Sequence, residues 1–202
     1  ECAFLNCDAI TSIAIPSSVT TIGYSAFEGC DNLSSIEISN SAISFTDAFK
    51  GCSSITTIVL SGSITNIVDD AFRNWENLTS VVIPNTVTSI GNNAFAGCSG
   101  LISITIPNSV TYIGDGAFRG AGLTSITIPS GITIIGSYAF SGCDSLESVI
   151  IEEGVEVIPD RAFEGCVNLS SLFVPSTVTY VATNAFNQVN NLDYVYWNTN
   201  VV

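Results

Sequence analysis

The sequence contains no histidine and no methionine, and it has only four basic residues against eighteen acidic ones. Histidine is the usual general base and the usual partner of a serine or cysteine nucleophile, so its absence argues against an enzyme. The net charge of -14 opposes contact with nucleic acid and with anionic lipid. No run approaches the roughly 18 apolar residues of a membrane-spanning helix, which argues against membrane insertion.

Charge of either sign is scarce, whereas apolar residues are plentiful. Charged residues make up 11% of the chain, against about 25% in ordinary domains. Hydrophobic residues make up 47%, which is ample for a core in a chain of 202 residues. We therefore expect serine, threonine and asparagine to provide most of the solvated surface.

The apolar residues form a repeat that is marked by the pair Ala-Phe. The pair occurs nine times, at intervals of 22 or 23 residues, with Phe4, Phe27, Phe49, Phe72, Phe95, Phe118, Phe140, Phe163 and Phe186. Repeats of about 20 to 30 residues are typical of solenoids, in which each coil buries its apolar face against its neighbours. The sequence therefore predicts about nine stacked coils.

Each coil contains one segment with the two-residue period of a β-strand. Ile36 and Ile38 show the pattern, and equivalent apolar pairs recur at the same offset from the phenylalanine in the other coils. Alternate residues of a strand point to the same face, so both side chains should face the core. Proline often follows at once, as Pro84 does. Because proline has no N–H for a central ladder, it indicates the end of the strand and a corner.

A second apolar pair follows the corner, such as Val87 with Ile90, and it predicts a second short β wall. A glycine and small polar residues then lead into the motif Ala-Phe-x-Gly-Cys. The phenylalanine and the cysteine of this motif lie three residues apart. They would therefore share one face of a short helical turn that closes the coil.

Residues 101–118, with the sequence Leu-Ile-Ser-Ile-Thr-Ile-Pro-Asn-Ser-Val-Thr-Tyr-Ile-Gly-Asp-Gly-Ala-Phe, carry a family resemblance. The segment resembles the repeat unit of the BspA-like leucine-rich repeat family of microbial surface proteins, and its columns recur over essentially the whole chain. The resemblance implies an α/β-type repeat solenoid, a right-handed leucine-rich-repeat coil with parallel β-strands, a second short β wall and short helical turns. We expect residues 1–202 to form a single solenoid domain that is a fragment of a longer protein. The segment 41–49 departs from the pattern, since it is one residue shorter and places Ala42 and Phe45 in apolar columns.

Six of the seven cysteines share one column of the repeat, at Cys7, Cys30, Cys52, Cys98, Cys143 and Cys166. Other coils fill this column with Trp75, Ala121 or Val189, which indicates that the position needs an apolar side chain. We therefore expect buried free thiols, with disulfides between stacked neighbours or a metal site as the alternatives. Zinc would favour histidine or a Cys-x-x-Cys motif, and the chain has neither, so no cofactor is predicted.

Seven of the eighteen acidic residues fall in one coil, at Asp144, Glu147, Glu152, Glu153, Glu156, Asp160 and Glu164. Hard cations such as calcium take oxygen ligands, so a calcium site is one interpretation. The glycine- and aspartate-rich repeat of calcium-binding rolls is missing, and these side chains would point in several directions around the coil. A solvated acidic patch is therefore the favoured interpretation.

Two outward positions of the repeat become larger and more apolar toward the C-terminus. Between the two buried strand residues stand Ala14 and Glu37 in the first coils but aromatic residues in the last ones. Solenoids use repeated outward positions as binding surfaces, and tyrosine is enriched at interaction hot spots. The candidate ligand-binding residues are Tyr112, Ile150, Phe173, Tyr180, Tyr194 and Tyr196. The alternative is the ordinary preference of strands for β-branched and aromatic residues, which requires no ligand.

The family resemblance implies a non-enzymatic interaction or adhesion module of a cell-surface or secreted microbial protein. The expected partner is a protein or glycan ligand on another cell or in the matrix, and the expected location is extracellular or at the cell surface. One alternative is a structural spacer whose open ends join copies head to tail. A weaker alternative is the recognition arm of a larger enzyme.

Overall fold

The repeat of apolar columns folds into stacked coils with three walls. The computed structural model describes residues 2–40, 48–49, 51–62 and 64–198. These residues form a parallel-strand solenoid of about eight turns, which confirms the predicted architecture. The shortened segment with Ala42 and Phe45 lies outside the described residues.

The first wall contains the strands that the Ile-x-Ile columns predict. Numbered in chain order, they are β1 (Ser12–Ile15), β2 (Ser35–Ile38), β3 (Thr57–Leu60), β5 (Ser80–Val82), β8 (Ser125–Ile128), β10 (Ser148–Ile151), β12 (Ser171–Val174) and β14 (Tyr194–Trp197). They pair in parallel as two sheets, β1-β2-β3-β5 and β8-β10-β12-β14. Equivalent repeat positions face each other, as in the register Ile36 to Ile58 to Val81. These columns point inward and are buried.

The second wall consists of two-residue strands after the corner. They are β4 (Asn66–Ile67), β6 (Ser89–Ile90), β7 (Tyr112–Ile113), β9 (Ile134–Ile135), β11 (Val157–Ile158) and β13 (Tyr180–Val181). The order β4-β6-β7-β9 forms one parallel sheet, and β11 pairs with β13 in another. The second residue of each strand faces the core, as Ile90 and Ile113 do. The predicted second β wall is therefore present.

The first wall is interrupted at one coil where the columns predicted a strand. Ile104 and Ile106 fill those columns, yet residues 101–107 form no strand, so this prediction is wrong. In other coils the N–H of the residue just before the strand donates to the preceding coil, as the Thr79 N–H does to the Thr56 carbonyl at 2.9 Å. The N–H of Ile102 stands at the same position here and donates no such bond within the described residues, so this coil lacks the tie.

The Ala-Phe-x-Gly-Cys segments form a third wall, the turn wall, but the predicted helical turns are absent from the described residues. The residues two before and two after Phe95 have left-handed backbone, with φ of 51° at Asn93 and 73° at Gly97. A right-handed helix does not accommodate such residues. The N–H of Cys98 donates to the Phe95 carbonyl at 3.2 Å, while the N–H of Phe95 donates to the Ala117 carbonyl of the next coil at 2.7 Å. Local turn bonds thus alternate with bonds between coils.

The described part of the chain contains no helix. No described residue belongs to a helix that is long and apolar enough to cross a membrane. The architecture of the described chain is accordingly a β-solenoid in which turns replace the helical element of the expected α/β type.

The phenylalanines of the turn wall stack through the core. The rings of Phe95 and Phe118 are fully buried, with centroids 5.3 Å apart and planes 7° from parallel. Such pairs contribute about 0.5–1.5 kcal/mol each beyond the burial of their area. Trp75 meets its neighbours differently, edge-on to Phe49 at 5.6 Å and to Phe72 at 5.4 Å. The stack explains why Ala-Phe is the most regular pair of the sequence.

Four of the six cysteines in the column are buried and the other two, Cys7 and Cys52, are half-buried; the column also connects coils. All seven cysteines are free thiols, and the buried ones are Cys30, Cys98, Cys143 and Cys166. Each buried thiol donates to the phenylalanine carbonyl of the preceding coil, for example Cys98 to Phe72 at 3.0 Å. Burial raises the pKa of Cys98 and of Cys166 to about 12. The column therefore holds neutral thiols that pack as apolar groups and also hydrogen-bond.

Candidate functional site

The outer face of the first wall carries a groove across β10, β12 and β14. Alternate strand residues share a face, so the outward residues of neighbouring coils align in rows. The register gives a first row of Ser148, Ser171 and Tyr194 and a second row of Ile150, Phe173 and Tyr196. With Val149 and Leu172, these residues line an open groove of about 440 Å³. The strand ladder thus builds a groove with one mainly polar side and one apolar side.

The groove presents aromatic surface to solvent on both sides. The exposed fraction is 45% for Ile150 and 60% for Tyr196 on the apolar side, and 75% for Tyr194 at the end of the serine row. The rings of Phe173 and Tyr196 stack with centroids 4.9 Å apart and planes 14° from parallel, which leaves Phe173 half-buried. Stacking already holds both rings in one orientation. Ligand binding therefore costs these two side chains little further conformational freedom.

The structure brings four of the six predicted residues together and leaves two elsewhere. Ile150, Phe173, Tyr194 and Tyr196 line the groove. Tyr112 and Tyr180 lie on the second wall, where Tyr112 aligns with Ile134 and Tyr180 with Val157. The second-wall residues form an apolar row on a different face of the coil, beyond the corner that follows the first-wall strands. The groove gathers four of the predicted residues around one concavity.

Sequence reasoning missed the serines of the groove. Ser148 and Ser171 stand two positions before the predicted outward residues, so the strand period alone could have placed them on the same face. Val195 and Trp197 were predicted to be buried but are exposed. They occupy core columns, yet both are exposed, because no described residue packs on the far side of β14.

The acidic residues of the coil around β10 are spread over its walls. Glu152 accepts a hydrogen bond from the Ser130 N–H at 3.0 Å. Desolvation opposes the ionised form of Glu153, but hydrogen bonds from Ser176 and Thr177 outweigh it and lower the pKa of this carboxyl. Within the described ranges, no three histidine, cysteine or acidic side chains are placed to hold a metal ion. The arrangement gives the calcium interpretation no support.

A second concavity, of about 360 Å³, lies in the turn wall around Trp75. It arises where the indole replaces the usual cysteine, and Cys52 and Glu76 also line it. Arg73 lies at its edge but already pairs with Asp70 at 3.1 Å. This concavity contains none of the predicted site residues.

Comparison with solved structures finds the same architecture in bacterial proteins. A leucine-rich repeat protein from Bacteroides ovatus is 31% identical with a TM-score of 0.64, over 91% of this chain and 45% of that one. A leucine rich cell surface protein from Faecalibacterium prausnitzii is 25% identical with a TM-score of 0.54, over 92% of this chain and 69% of that one. The T. pallidum leucine rich repeat protein is 28% identical with a TM-score of 0.62, over 79% of this chain and 78% of that one. No curated protein matches the chain significantly.

The family comparison covers nearly the whole chain. The family model of the BspA type leucine rich repeat region matches residues 1–102 and 65–193, in 6 copies. The chain spans 45% of the length of the B. ovatus protein. The matched ranges overlap and contain the columns, the corners and the turn motif described above. The chain belongs to the BspA-type leucine-rich repeat family.

Proposed function

We propose that the chain is a non-enzymatic protein-interaction module of a cell-surface or secreted microbial protein. Its ligand binds on the outer face of the first wall, in the groove across β10, β12 and β14. The observation that carries this proposal is the exposed aromatic pair Phe173 and Tyr196, with Tyr194 opposite it and Ile150 beside it.

The fold itself does not require large apolar residues at these positions. Ala14 and Thr127 occupy the equivalent outward positions of β1 and β8, and the strands pair there equally well. Each exposed aromatic ring offers on the order of 100 Å² of apolar surface, or about 2.5 kcal/mol if a partner buries it completely. Contiguous exposed apolar surface usually marks a partner site.

The relatives support the location and the type of function. The F. prausnitzii protein is described as a cell surface protein, and it shares the solenoid over 92% of this chain. Leucine-rich repeats are scaffolds whose repeated outward positions bind other molecules. A surface or secreted location and an adhesive role fit these relatives and are part of the proposal.

The experiment is a binding screen against purified extracellular matrix proteins, host surface proteins and glycans. The parent is compared with the double variant Phe173→Thr, Tyr196→Thr, which copies the residue at position 127 and should fold. We expect the variant to bind at least about tenfold more weakly, because hot-spot truncations commonly cost more than 1.4 kcal/mol.

The matched control is Val82→Thr, which removes an exposed apolar side chain from β5 on the same wall but outside the groove. This control should bind as the parent does. Binding of equal strength by the parent and by the double variant would contradict the proposal, and so would the absence of any ligand in the screen.

End-to-end association is the second candidate. Residues of the core columns are exposed at the two edges of the described region, Phe4 at one and Val195 and Trp197 at the other. Exposed edges of this kind stack either on further coils of a longer chain or on a second copy. Light scattering over a concentration series tests it: a mass that grows with concentration supports this role, and a constant monomer mass excludes it.

A further inference from the structure

The rim of the groove is acidic beside its serine row. Glu147 directly precedes β10 and Asp193 directly precedes β14, and both side chains are exposed. Neither carboxylate has a hydrogen-bond or ion-pair partner among the described residues. Two strand spacings separate them, so they lie about 10 Å apart along the solenoid. Glu152 follows β10 on the other side of the groove and adds to the negative rim.

No basic side chain in the described first-wall strands balances this rim. From residue 120 to the end of the chain there are eight acidic residues and one basic residue, Arg161. Arg161 lies on the turn wall, where it donates to the Tyr138 hydroxyl at 2.9 Å and pairs with Asp160 at 3.6 Å. Its guanidinium also lies 5.4 Å from the centre of the Tyr138 ring. The described first-wall strands contain neither lysine nor arginine.

The aromatic side of the groove suits the same kind of ligand as the rim does. The face of an aromatic ring carries partial negative charge and attracts lysine and arginine, arginine most often. Phe173 and Tyr196 present stacked rings, and Glu147 and Asp193 stand three residues before the same row of outward residues, about 10 Å along the strands. A neutral glycan could stack on the rings and donate hydroxyls to the carboxylates but would bring no positive charge to balance them, and an acidic ligand would be repelled.

We infer that the ligand of the groove is a basic segment of a partner protein. Its lysine or arginine side chains lie over the Phe173–Tyr196 pair and reach the carboxylates of Glu147 and Asp193, with the serine hydroxyls of the groove available to its backbone. This inference rests on the proposed function, since it names the partner of the same surface.

The experiment measures the affinity of the parent for three probes. They are a short soluble peptide of alternating lysine and serine, the same peptide with glutamate in place of lysine, and a neutral linear β-glucan oligosaccharide. Two groove variants are compared with the parent, the aromatic pair Phe173→Thr, Tyr196→Thr and the charge pair Glu147→Gln, Asp193→Asn. Of the three probes, we expect only the lysine peptide to bind the parent. Each variant pair should lower the affinity for this peptide at least about tenfold.

The control separates the groove from the overall charge of the protein. The pair Asp31→Asn, Glu37→Gln removes the same number of charges from exposed positions in the N-terminal coils. It should retain the parental affinity at constant salt. If this control lowers the affinity for the lysine peptide as much as the groove charge pair does, the peptide responds to the overall charge of the protein and the inference fails. The proposed binding surface would not be affected by that result.

The remaining outcomes also decide the question. Binding of the glucan and not of the lysine peptide, lost in the aromatic pair, would overturn the inference and make the groove a glycan site. Failure of all three probes to bind the parent would likewise overturn it. The proposed function fails separately, when a ligand from the binding screen binds the aromatic variant as tightly as the parent.

Discussion

At the scale of single residues, the motif Ala-Phe-x-Gly-Cys is explained by backbone and hydrogen-bond requirements. Its glycine stands where the turn needs left-handed backbone, as at Gly97, and asparagine fills the same position at Asn74 with φ 61°. Asparagine is among the few other residues that adopt this conformation readily. The cysteine has a separate requirement, since its S–H satisfies a carbonyl of the preceding coil in the buried interior.

Two nearby glycines, Gly120 and Gly122, are required for different reasons: one adopts left-handed backbone and the other lies against the backbone of the preceding coil. Gly120 has φ 67°, and a Cβ there would meet nothing within 4 Å, whereas a Cβ on Gly122 would collide with the Ser99 carbonyl oxygen of the preceding coil. We expect Gly120→Ala to lower the unfolding free energy by about 1 kcal/mol and Gly122→Ala by more than about 2 kcal/mol. Denaturant unfolding followed by circular dichroism measures both. Equal losses would contradict the close contact of these coils.

The thiol of Cys98 predicts a dependence of stability on pH. Its folded pKa of about 12 lies above the ordinary value of 9.0, so the unfolded state releases its proton first as the pH rises. The contribution of this thiol is therefore fully present below pH 9 and is lost between pH 9 and 12. Cys98→Ala, which copies Ala121 of the next coil, should cost about 1–2 kcal/mol at pH 7.

The measurement is a pair of unfolding curves, for the parent and for Cys98→Ala, at pH 7 and at pH 11. The stability advantage of the parent should disappear at the higher pH and change sign, because two pH units above 9.0 remove about 3 kcal/mol, more than the thiol contributes at pH 7. A difference that stays constant would mean that the thiol ionises as easily in the fold as in the unfolded chain.

At the scale of elements, the two strand walls could be predicted from the sequence and the turn wall could not. The two-residue period placed Ile36 and Ile38 correctly on the inner face. The three-residue spacing of phenylalanine and cysteine fits a helical turn equally well, and only the left-handed backbone at Asn93 and Gly97 shows that the segment is not helical. Side-chain spacing carries no information on the sign of φ, which is why the helical prediction failed.

The break in the first wall predicts a local loss of backbone protection. The N–H groups of residues 102–106 donate no hydrogen bond within the described part of the chain. We expect the amides of Ile104 and Ile106 to exchange with deuterium faster than those of Ile126 and Ile128 in the regular strand β8, because exchange requires an open amide. Native-state exchange measured by NMR tests this. Equal protection of the two segments would show that the strand ladder continues through the break.

The groove was only partly predictable, for a reason that also belongs to the elements. The strand period identifies which residues point outward, and it correctly placed Phe173 and Tyr196 on the same face. It does not show which of the outward residues line one groove, nor that Ser148 and Ser171 border it. Those relations depend on the register between coils, which the structure supplies.

At the scale of the whole molecule, positions that repeat maintain the solenoid and positions that differ are available for binding. The stacked phenylalanines and the cysteine column recur along the chain and are buried. The outward first-wall positions vary freely, because the strands pair through backbone groups whatever these side chains are. Scaffold and ligand surface should therefore be separable by mutation, since each coil contacts only its neighbours.

The most direct test of this separation measures the melting temperature and ligand affinity of two variants. The groove variant replaces Ile150, Phe173, Tyr194 and Tyr196 with threonine, and the core variant is Phe118→Leu, which disturbs the ring stack between Phe95 and Phe140. We expect the groove variant to keep the parental melting temperature and to lose binding to the ligand from the binding screen. The core variant should melt about 2–6 °C lower, for a cost of about 1–1.5 kcal/mol, and should bind normally below that temperature. Parental affinity in the groove variant would contradict the account.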